Sequence, residues 1–224
     1  STFRSAFALR VACAFNPEIA LREMKANIQK LGAKSLRRVF SLVDVEMHSV
    51  YLHEVLADAY HPLRLAAALR LATVKDDAAL GFLLDKCFFG ENWERGPAFA
   101  SLAHWGKERV SRAVFELLAQ GAVSFEQFTA SALLAYVDLN DQVLATSPGF
   151  HSYIPGLLRS GSQEQVKFAL SWIAKLGVGR LFRETLADVI RSNRSRDKGS
   201  PAKMHLSVYE ALKGERFRGV IMLL

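Results

Sequence analysis

The amino-acid sequence predicts an all-α protein built from stacked antiparallel helical hairpins. Three observations lead to this prediction. Apolar residues recur at spacings of three and four along nearly the whole chain, glycine and proline interrupt that pattern at short intervals, and several segments resemble one another. No stretch alternates between apolar and polar residues for more than a few positions, as an exposed strand would.

The three- and four-residue spacing is clearest in the segments rich in leucine and alanine. Leu65, Leu69 and Ala72 follow one another in this way, and Leu80 and Leu83 repeat the pattern. Residues at these spacings lie on one face of an α-helix. We therefore expect amphipathic helices that each bury an apolar face.

Glycine and proline divide the chain into intervals of helical length. Two intervals begin with the spacing of a capping box, in which a serine and a glutamine satisfy the free amides of the first turn: Ser124 with Gln127, and Ser162 with Gln165. We expect about a dozen helices of roughly 10–15 residues, joined by short turns that make neighbours antiparallel. The breaks fall at Asn16-Pro17, Gly32, His61-Pro62, Gly90, Gly106, Gly121, Pro148-Gly149, Gly161 and Gly177.

Three segments, near Phe3, His61 and Val166, resemble one another, and a weaker copy runs through Ala98–Leu118. Each has a basic residue and an alanine-rich first helix, followed by a short turn and a leucine-rich second helix. The successive offsets are 60 and 103 residues, which correspond to two and three units of roughly 30–35 residues. The superposition aligns Arg4 with Arg64 and Lys167, Ala6 with Ala66 and Ala169, and Leu9 with Leu69 and Trp172.

This pattern resembles the HEAT-repeat family. The resemblance implies a right-handed α-α superhelix, a HEAT-like solenoid, which we expect to form a single domain over residues 1–224. Ser35–Tyr60 and Ser124–Ser160 fit the pattern poorly, and the unit is shorter than the usual HEAT period. An irregular helical bundle is the alternative arrangement of the same helices. In a stack of hairpins we expect these side chains to be buried: Ala66, Leu69, Leu83, Leu84, Phe99, Leu102, Ala169 and Trp172.

The segment Ser192–Ala202 is the clearest break in the apolar pattern. It has no large apolar residue and ends in Gly-Ser-Pro, so it predicts an exposed basic loop over residues 192–202. Residues 203–224 are predicted to cap the last hairpin, with a helix over Met204–Leu212 and an apolar end.

Charge is distributed unevenly, and the net charge is +7. Residues 1–40 carry eight Lys/Arg and two Asp/Glu, residues 41–176 carry eleven and fifteen, and residues 177–224 carry ten and five. The basic residues 1–40 and 177–224 favour an acidic protein partner. The net negative charge of residues 41–176 disfavours a long surface for duplex nucleic acid, because the phosphates of a duplex are negatively charged along its whole length. The predicted partner-binding residues are Arg191, Arg194, Arg196, Lys198, Lys203, Arg37 and Arg38.

The sequence has no catalytic or metal-binding motif, and no cofactor is expected. His48 and His53 are five residues apart, which places them on different sides of a helix, so we interpret them as solvated polar residues. Cys13 and Cys87 lie in apolar runs without a histidine at ligand spacing, so we expect buried thiols in a reducing, cytoplasmic compartment. The apolar runs are too short to span a membrane. The start at Ser1 favours a piece of a longer protein.

The predicted function is a non-enzymatic protein-interaction or scaffold domain. The alternative is a nucleic-acid-associated protein, because the resemblance includes HEAT-like DNA glycosylases that place aromatic groups around a damaged base. The candidate aromatic residues for such a groove are the three tryptophans, Trp93, Trp105 and Trp172. Trp172 occupies a position held by leucine in the other copies, so we expect it in the core, whereas Trp93 lies in a polar turn.

Overall fold

The computed structural model describes residue 40 and residues 44–137, 146–159 and 162–196, with the backbone alone at residues 47, 163 and 190–196. All regular elements in these ranges are helical, which confirms the all-α prediction for this part of the chain. Contacts divide the chain into two compact units, Ser1–Gly106 and Lys107–Leu224. The single domain over 1–224 stays a prediction.

The first unit contains four described α-helices in succession. They are α1 (Val45–Ala57), α2 (Arg64–Ala72), α3 (Asp77–Phe89) and α4 (Asn92–Ser101), and a 3-10 turn, Leu102–His104, follows. Consecutive helices pack against each other and are joined by short turns, so neighbours run antiparallel. The α1–α2 and α3–α4 turns therefore lie at one end of the unit, and the α2–α3 turn lies at the other.

A tryptophan fixes the end of the first unit at which the α2–α3 turn lies. The indole nitrogen of Trp105 donates to the carbonyl of Lys75 at 3.2 Å, which ties the end of α4 to the α2–α3 turn. Trp105 itself is buried. The core between the helices combines the small residues of α2, such as Ala67 and Ala68, with large leucines of α3 such as Leu83. Alanines allow the flanking helices to approach α2 closely.

The second unit contains six described α-helices. They are α5 (Lys107–Ala119), α6 (Phe125–Thr129), α7 (Leu133–Tyr136), α8 (Pro148–Arg159), α9 (Gln163–Leu176) and α10 (Arg183–Arg196), with a 3-10 turn at Gly179–Phe182. Helix α8 packs against α5, α9 and α10. The shared core is aromatic: the ring of Phe115 lies 5.1 Å from Phe150 and 4.9 Å from Trp172.

Several predicted boundaries are confirmed. The Ser124 amide donates to Gln127 Oε1 at 2.8 Å, and the Gln127 amide donates to Ser124 Oγ at 3.2 Å, which completes the predicted capping box. Gly177 ends α9 with a left-handed φ of 64°, a conformation that favours glycine. Ser162 is the N-cap of α9 as predicted, but its side chain accepts no capping hydrogen bond.

The predicted loop over 192–202 begins too early. Helix α10 continues to Arg196, so Ser192–Arg196 are helical in the structure. Arginine is a good helix former, and a helix can continue without burying an apolar face. The rest of the predicted loop and the capping segment 203–224 lie outside the described residues.

Burial corrects the register of the proposed repeat. Leu83, Leu84, Leu102, Ala169 and Trp172 are buried as predicted. The prediction is wrong for Ala66, Leu69 and Phe99, which are only partly buried. The superposition pairs α2 with α9, and burial aligns them at an offset of 101 residues rather than 103. Four of the five buried residues of α2 then fall on buried residues of α9: Leu65 on Val166, Ala68 on Ala169, Leu71 on Trp172, and Ala72 on Ile173.

Candidate functional site

Three exposed aromatic side chains lie at one end of the first unit. Tyr60, in the α1–α2 turn, is 96% exposed. Phe89, the last residue of α3, is 48% exposed, and Trp93, in the first turn of α4, is 47% exposed. Because the α1–α2 and α3–α4 turns lie at the same end, the antiparallel order places all three residues on the surface of that end. We name this surface, defined by Tyr60, Phe89 and Trp93, the aromatic end.

Two tight turns hold the aromatic end. The amide of Tyr60 donates to Asp58 Oδ1 at 3.0 Å, so the side chain of Asp58 fixes the α1–α2 turn. Gly90 makes the two-residue α3–α4 turn possible, because a Cβ there would lie 2.4 Å from the carbonyl oxygen of Lys86. This close approach excludes any larger residue without a backbone shift. Phe89 is thereby held at the rim, while its neighbour Phe88 points into the core.

A capping box orients Trp93. Glu91 is the N-cap of α4, and its amide donates to Glu94 Oε2 at 2.9 Å. The indole nitrogen of Trp93 donates to the carboxylate of Glu91. The tryptophan ring is therefore held by the same residue that starts the helix. Such pre-organisation lowers the entropy cost of a contact made through the ring.

Charges of both signs surround the aromatic rings. Lys86 Nζ lies 3.0 Å from Glu94 Oε1, and the Arg64 guanidinium lies 4.6 Å from the ring centre of Phe82. Arg95 Nε donates to the carbonyl of Gly90 at 2.7 Å. Three charged residues are exposed at this end: Asp58, Glu91 and Arg95. The aromatic end thus has no strong excess of one sign.

The histidines differ from the solvated residues that the sequence predicts. His48 is buried, and its Nδ1 donates to the carbonyl of Asp44 at 3.0 Å, at a kink in α1 where His48 has φ −127° and ψ 19°. His53 is partly buried, with Nδ1 2.7 Å from the carbonyl of Ser49 and Nε2 3.0 Å from Asp76 Oδ2. The same Asp76 carboxylate caps α3 by accepting from the Ala78 amide. Both ring nitrogens of His53 are thus hydrogen-bonded: Nδ1 bonds within α1, and Nε2 joins α1 to the N-cap of α3.

The buried thiol and phenol are in their neutral forms. Cys87 is buried as expected and unpaired, and desolvation raises its pKa to about 12. Burial, and secondarily the nearby Glu126 carboxylate, raises the pKa of Tyr153 to about 12. At neutral pH neither group is a nucleophile of the thiolate or phenolate kind. Cys13 lies outside the described residues.

The tryptophans divide between core and surface. Trp172 lies in the core as predicted, and Trp105 is also buried, so neither lines an open groove. Trp93 is the exposed one of these three. Its polar turn was evident from the sequence, whereas Tyr60 and Phe89 were not predicted to lie at the same end. A signal was present in the breaks at His61-Pro62 and Gly90, which mark the two turns that these residues flank.

The predicted basic site stays a prediction. Arg191, Arg194 and Arg196 lie in the last turns of α10, where the structure describes the backbone alone. Lys198, Lys203, Arg37 and Arg38 lie outside the described residues. The structure therefore does not bring these seven residues together or separate them.

Among the described residues, no group of three or more His, Cys, Asp or Glu side chains is arranged to hold a metal ion. In the same ranges, none of the helices combines the length and apolar character needed to cross a membrane. No known family, curated protein or solved structure matches this chain. The HEAT-like resemblance therefore remains an interpretation of the sequence.

Proposed function

We propose that this chain is a non-enzymatic protein-binding domain whose contact surface is the aromatic end. One observation carries the proposal: Tyr60, Phe89 and Trp93 are exposed, and the order of the helices places all three at the same end of the first unit. Large exposed apolar side chains clustered on one surface are typical of protein-interaction sites. Tryptophan, tyrosine and arginine are also the residues that most often dominate binding energy, and Arg95 stands beside this surface.

The wider architecture that we propose is a right-handed HEAT-like solenoid acting as a scaffold. Successive antiparallel packing of α1 to α4 supports it in the first unit. Four of the five buried residues of α2 align with buried residues of α9 at an offset of 101 residues, which supports an internal repeat. In such a stack the turns that join the helices lie along its edges, where a partner can reach them.

Site-specific photocrosslinking tests the proposed surface. A photoreactive phenylalanine analogue is placed at Tyr60 or at Phe89, and in a matched control at Val74, which is 49% exposed at the opposite end. We expect a discrete adduct from residues 60 and 89 and none from residue 74, because the partner contacts the aromatic end. Mass spectrometry then identifies the attached chain. Equal adducts from all three positions, or none from 60 and 89, would contradict the proposal.

We also propose that the basic residues near the chain ends bind an acidic protein segment. The support is the excess of Lys and Arg in residues 1–40 and 177–224. Replacing Arg194, Arg196 and Lys198 by serine should weaken binding of a polyglutamate probe at low salt without changing the melting temperature. The measurement is a titration by fluorescence anisotropy, with Tyr60→Ala as the control that keeps polyglutamate binding. If the triple variant binds polyglutamate with unchanged affinity, residues 194–198 do not contribute to binding an acidic segment.

The same titration with a single-stranded oligonucleotide tests the nucleic-acid alternative. Phosphate-driven binding falls by orders of magnitude between roughly 50 and 200 mM salt. We expect the oligonucleotide to bind less tightly than polyglutamate. If the oligonucleotide instead binds more tightly than polyglutamate, and the triple variant loses this binding, the nucleic-acid function would be favoured. Base-excision enzymes are one class within that function.

A further inference from the structure

We propose that His53 and Asp76 form a proton-dependent clasp, which ties α1 to the start of α3 most tightly while the imidazole is charged. Helix α1 packs against α2, and α2 packs against α3. The contact between His53 Nε2 and Asp76 Oδ2, at 3.0 Å, therefore links two helices that are both neighbours of α2. The clasp is separate from the function proposed for the aromatic end, because it bonds groups within the first unit to each other.

The hydrogen bonds of the His53 ring require a positive charge on it. Its Nδ1 lies 2.7 Å from the carbonyl oxygen of Ser49, which can only accept. Its Nε2 lies 3.0 Å from Asp76 Oδ2, while Asp76 Oδ1 accepts from the Ala78 amide. An ionised carboxylate also only accepts, so both ring nitrogens must donate at the same time. The imidazolium does this, whereas a neutral imidazole carries a single N–H.

The loss of the proton weakens the clasp in either tautomer of the neutral ring. One ring nitrogen then faces an oxygen without a hydrogen between them. The ring also no longer attracts the charge of the Asp76 carboxylate, and a hydrogen bond without that charge on the donor is weaker. Asp76 still caps α3 through the Ala78 amide, so the change falls on the link to α1 and not on the start of α3.

The clasp holds a turn whose backbone is constrained. Lys75, in the α2–α3 turn, has a φ of 60°, and no other residue except glycine has a positive φ in the described part of the chain. Such a conformation persists where the surrounding structure holds it. The Trp105 indole holds the Lys75 carbonyl, and His53 holds the next residue, Asp76. The proton on His53 therefore acts at the point where α1, α2 and α3 are tied together.

Other charged or titratable groups lie on the elements that meet at the clasp. They are Glu46, His48 and Glu54 on α1, Arg64 and Arg70 on α2, Lys75 in the turn, and Asp77 at the start of α3. Asp76 supplies the carboxylate that bonds to the ring. The side chains of His53 and Asp76 are 42% and 26% exposed, so water screens their attraction. We therefore expect the clasp to change the local opening equilibrium about two- to fivefold, as a partly exposed ion pair does.

Native-state hydrogen exchange of the full chain tests the clasp through a double-mutant cycle. The parent is compared with His53→Gln, Asp76→Asn and the double variant, and the protection of the α1 amides is measured. Asparagine is also a good N-cap residue, so Asp76→Asn keeps the start of α3. The cycle is run at about pH 5.5 and at about pH 8.5, where an ordinary histidine is mostly charged and mostly neutral and an ordinary aspartate is ionised.

We expect a coupling between residues 53 and 76 of about two- to fivefold at the lower pH and of about onefold at the higher pH. The coupling is the readout because the other histidines also change charge in this range. Asp85→Asn is the matched control, since it removes a carboxylate further along α3 and should show no coupling to His53→Gln. Coupling that is absent at the lower pH, or equal at both, would overturn the clasp.

Discussion

Replacing Trp172 by alanine is expected to lower the free energy of unfolding of the second unit by about 3–5 kcal/mol. Trp172 is 2% exposed, and its ring lies 4.3 Å from Phe168, 4.9 Å from Phe115 and 5.8 Å from Phe128. Removing the indole leaves a cavity between rings that come from α5, α6 and α9, and rigid aromatic neighbours relax poorly into it. The loss is a large part of the 5–15 kcal/mol that stabilises a typical domain.

Native-state hydrogen exchange measures this loss unit by unit. Amides of α5, α8 and α9 should exchange faster in Trp172→Ala by the factor that corresponds to the lost free energy, roughly 100-fold or more at 1.4 kcal/mol per factor of ten. Trp93→Ala is the matched control, because its side chain is half exposed and its loss should change stability by less than about 1 kcal/mol. A change of under 1 kcal/mol in Trp172→Ala would contradict the central place of this residue in the core.

The helices and many of their ends could be predicted from the sequence, because local chemistry sets them. Ser124 and Gln127 satisfy each other's backbone amides, and Gly177 adopts a left-handed conformation, whatever the tertiary packing. The end of α10 was misplaced for the opposite reason. Ser192–Arg196 has no apolar residue that could indicate a buried face, yet the helix continues to Arg196.

The register of the buried face could not be predicted from the spacing of apolar residues. Helix α2 reads RLAAALRLA, so apolar residues occur on almost every side of it. Superposing sequences by chemical type matched Leu69 with Trp172, yet burial matches Trp172 with Leu71. Which alanines and leucines face inward is decided by the neighbouring helices. We therefore expect a loss in the free energy of unfolding of about 2–5 kcal/mol when a fully buried leucine such as Leu71 is replaced by alanine. The same replacement at the partly exposed Leu69 should cost less.

The aromatic end was hidden from the sequence because its members are far apart along the chain. Tyr60 and Phe89 lie at the same end of the unit because two complete helices, α2 and α3, separate them along the chain. Phe88 and Phe89 are adjacent and chemically identical, and only the packing of α3 shows that the first is buried and the second exposed. His48 was likewise predicted to be a solvated polar residue, whereas in the structure it lies at a kink in α1 and is buried.

Gly149→Ala is expected to destabilise the second unit by about 1–3 kcal/mol, as overpacking of a closely packed interface does. A Cβ at Gly149 would lie 2.7 Å from the carbonyl carbon of Phe115 and 2.7 Å from the amide nitrogen of Glu116. Both atoms belong to the backbone of α5, so no side chain can rotate away. Helix α8 must then move from α5, and this movement opens the contact between the Phe115 and Phe150 rings, now 5.1 Å apart.

Gly156→Ala is the matched control in the same helix. A Cβ at Gly156 meets no atom within 4 Å, and alanine has the higher helix propensity by about 1 kcal/mol. The same chemical change should therefore stabilise the protein at residue 156 and destabilise it at residue 149, which separates close approach from propensity. Urea denaturation followed by circular dichroism measures both variants. If Gly149→Ala proves as stable as Gly156→Ala, α8 does not pack directly on the α5 backbone. That result would contradict the close α5–α8 contact described for the aromatic core.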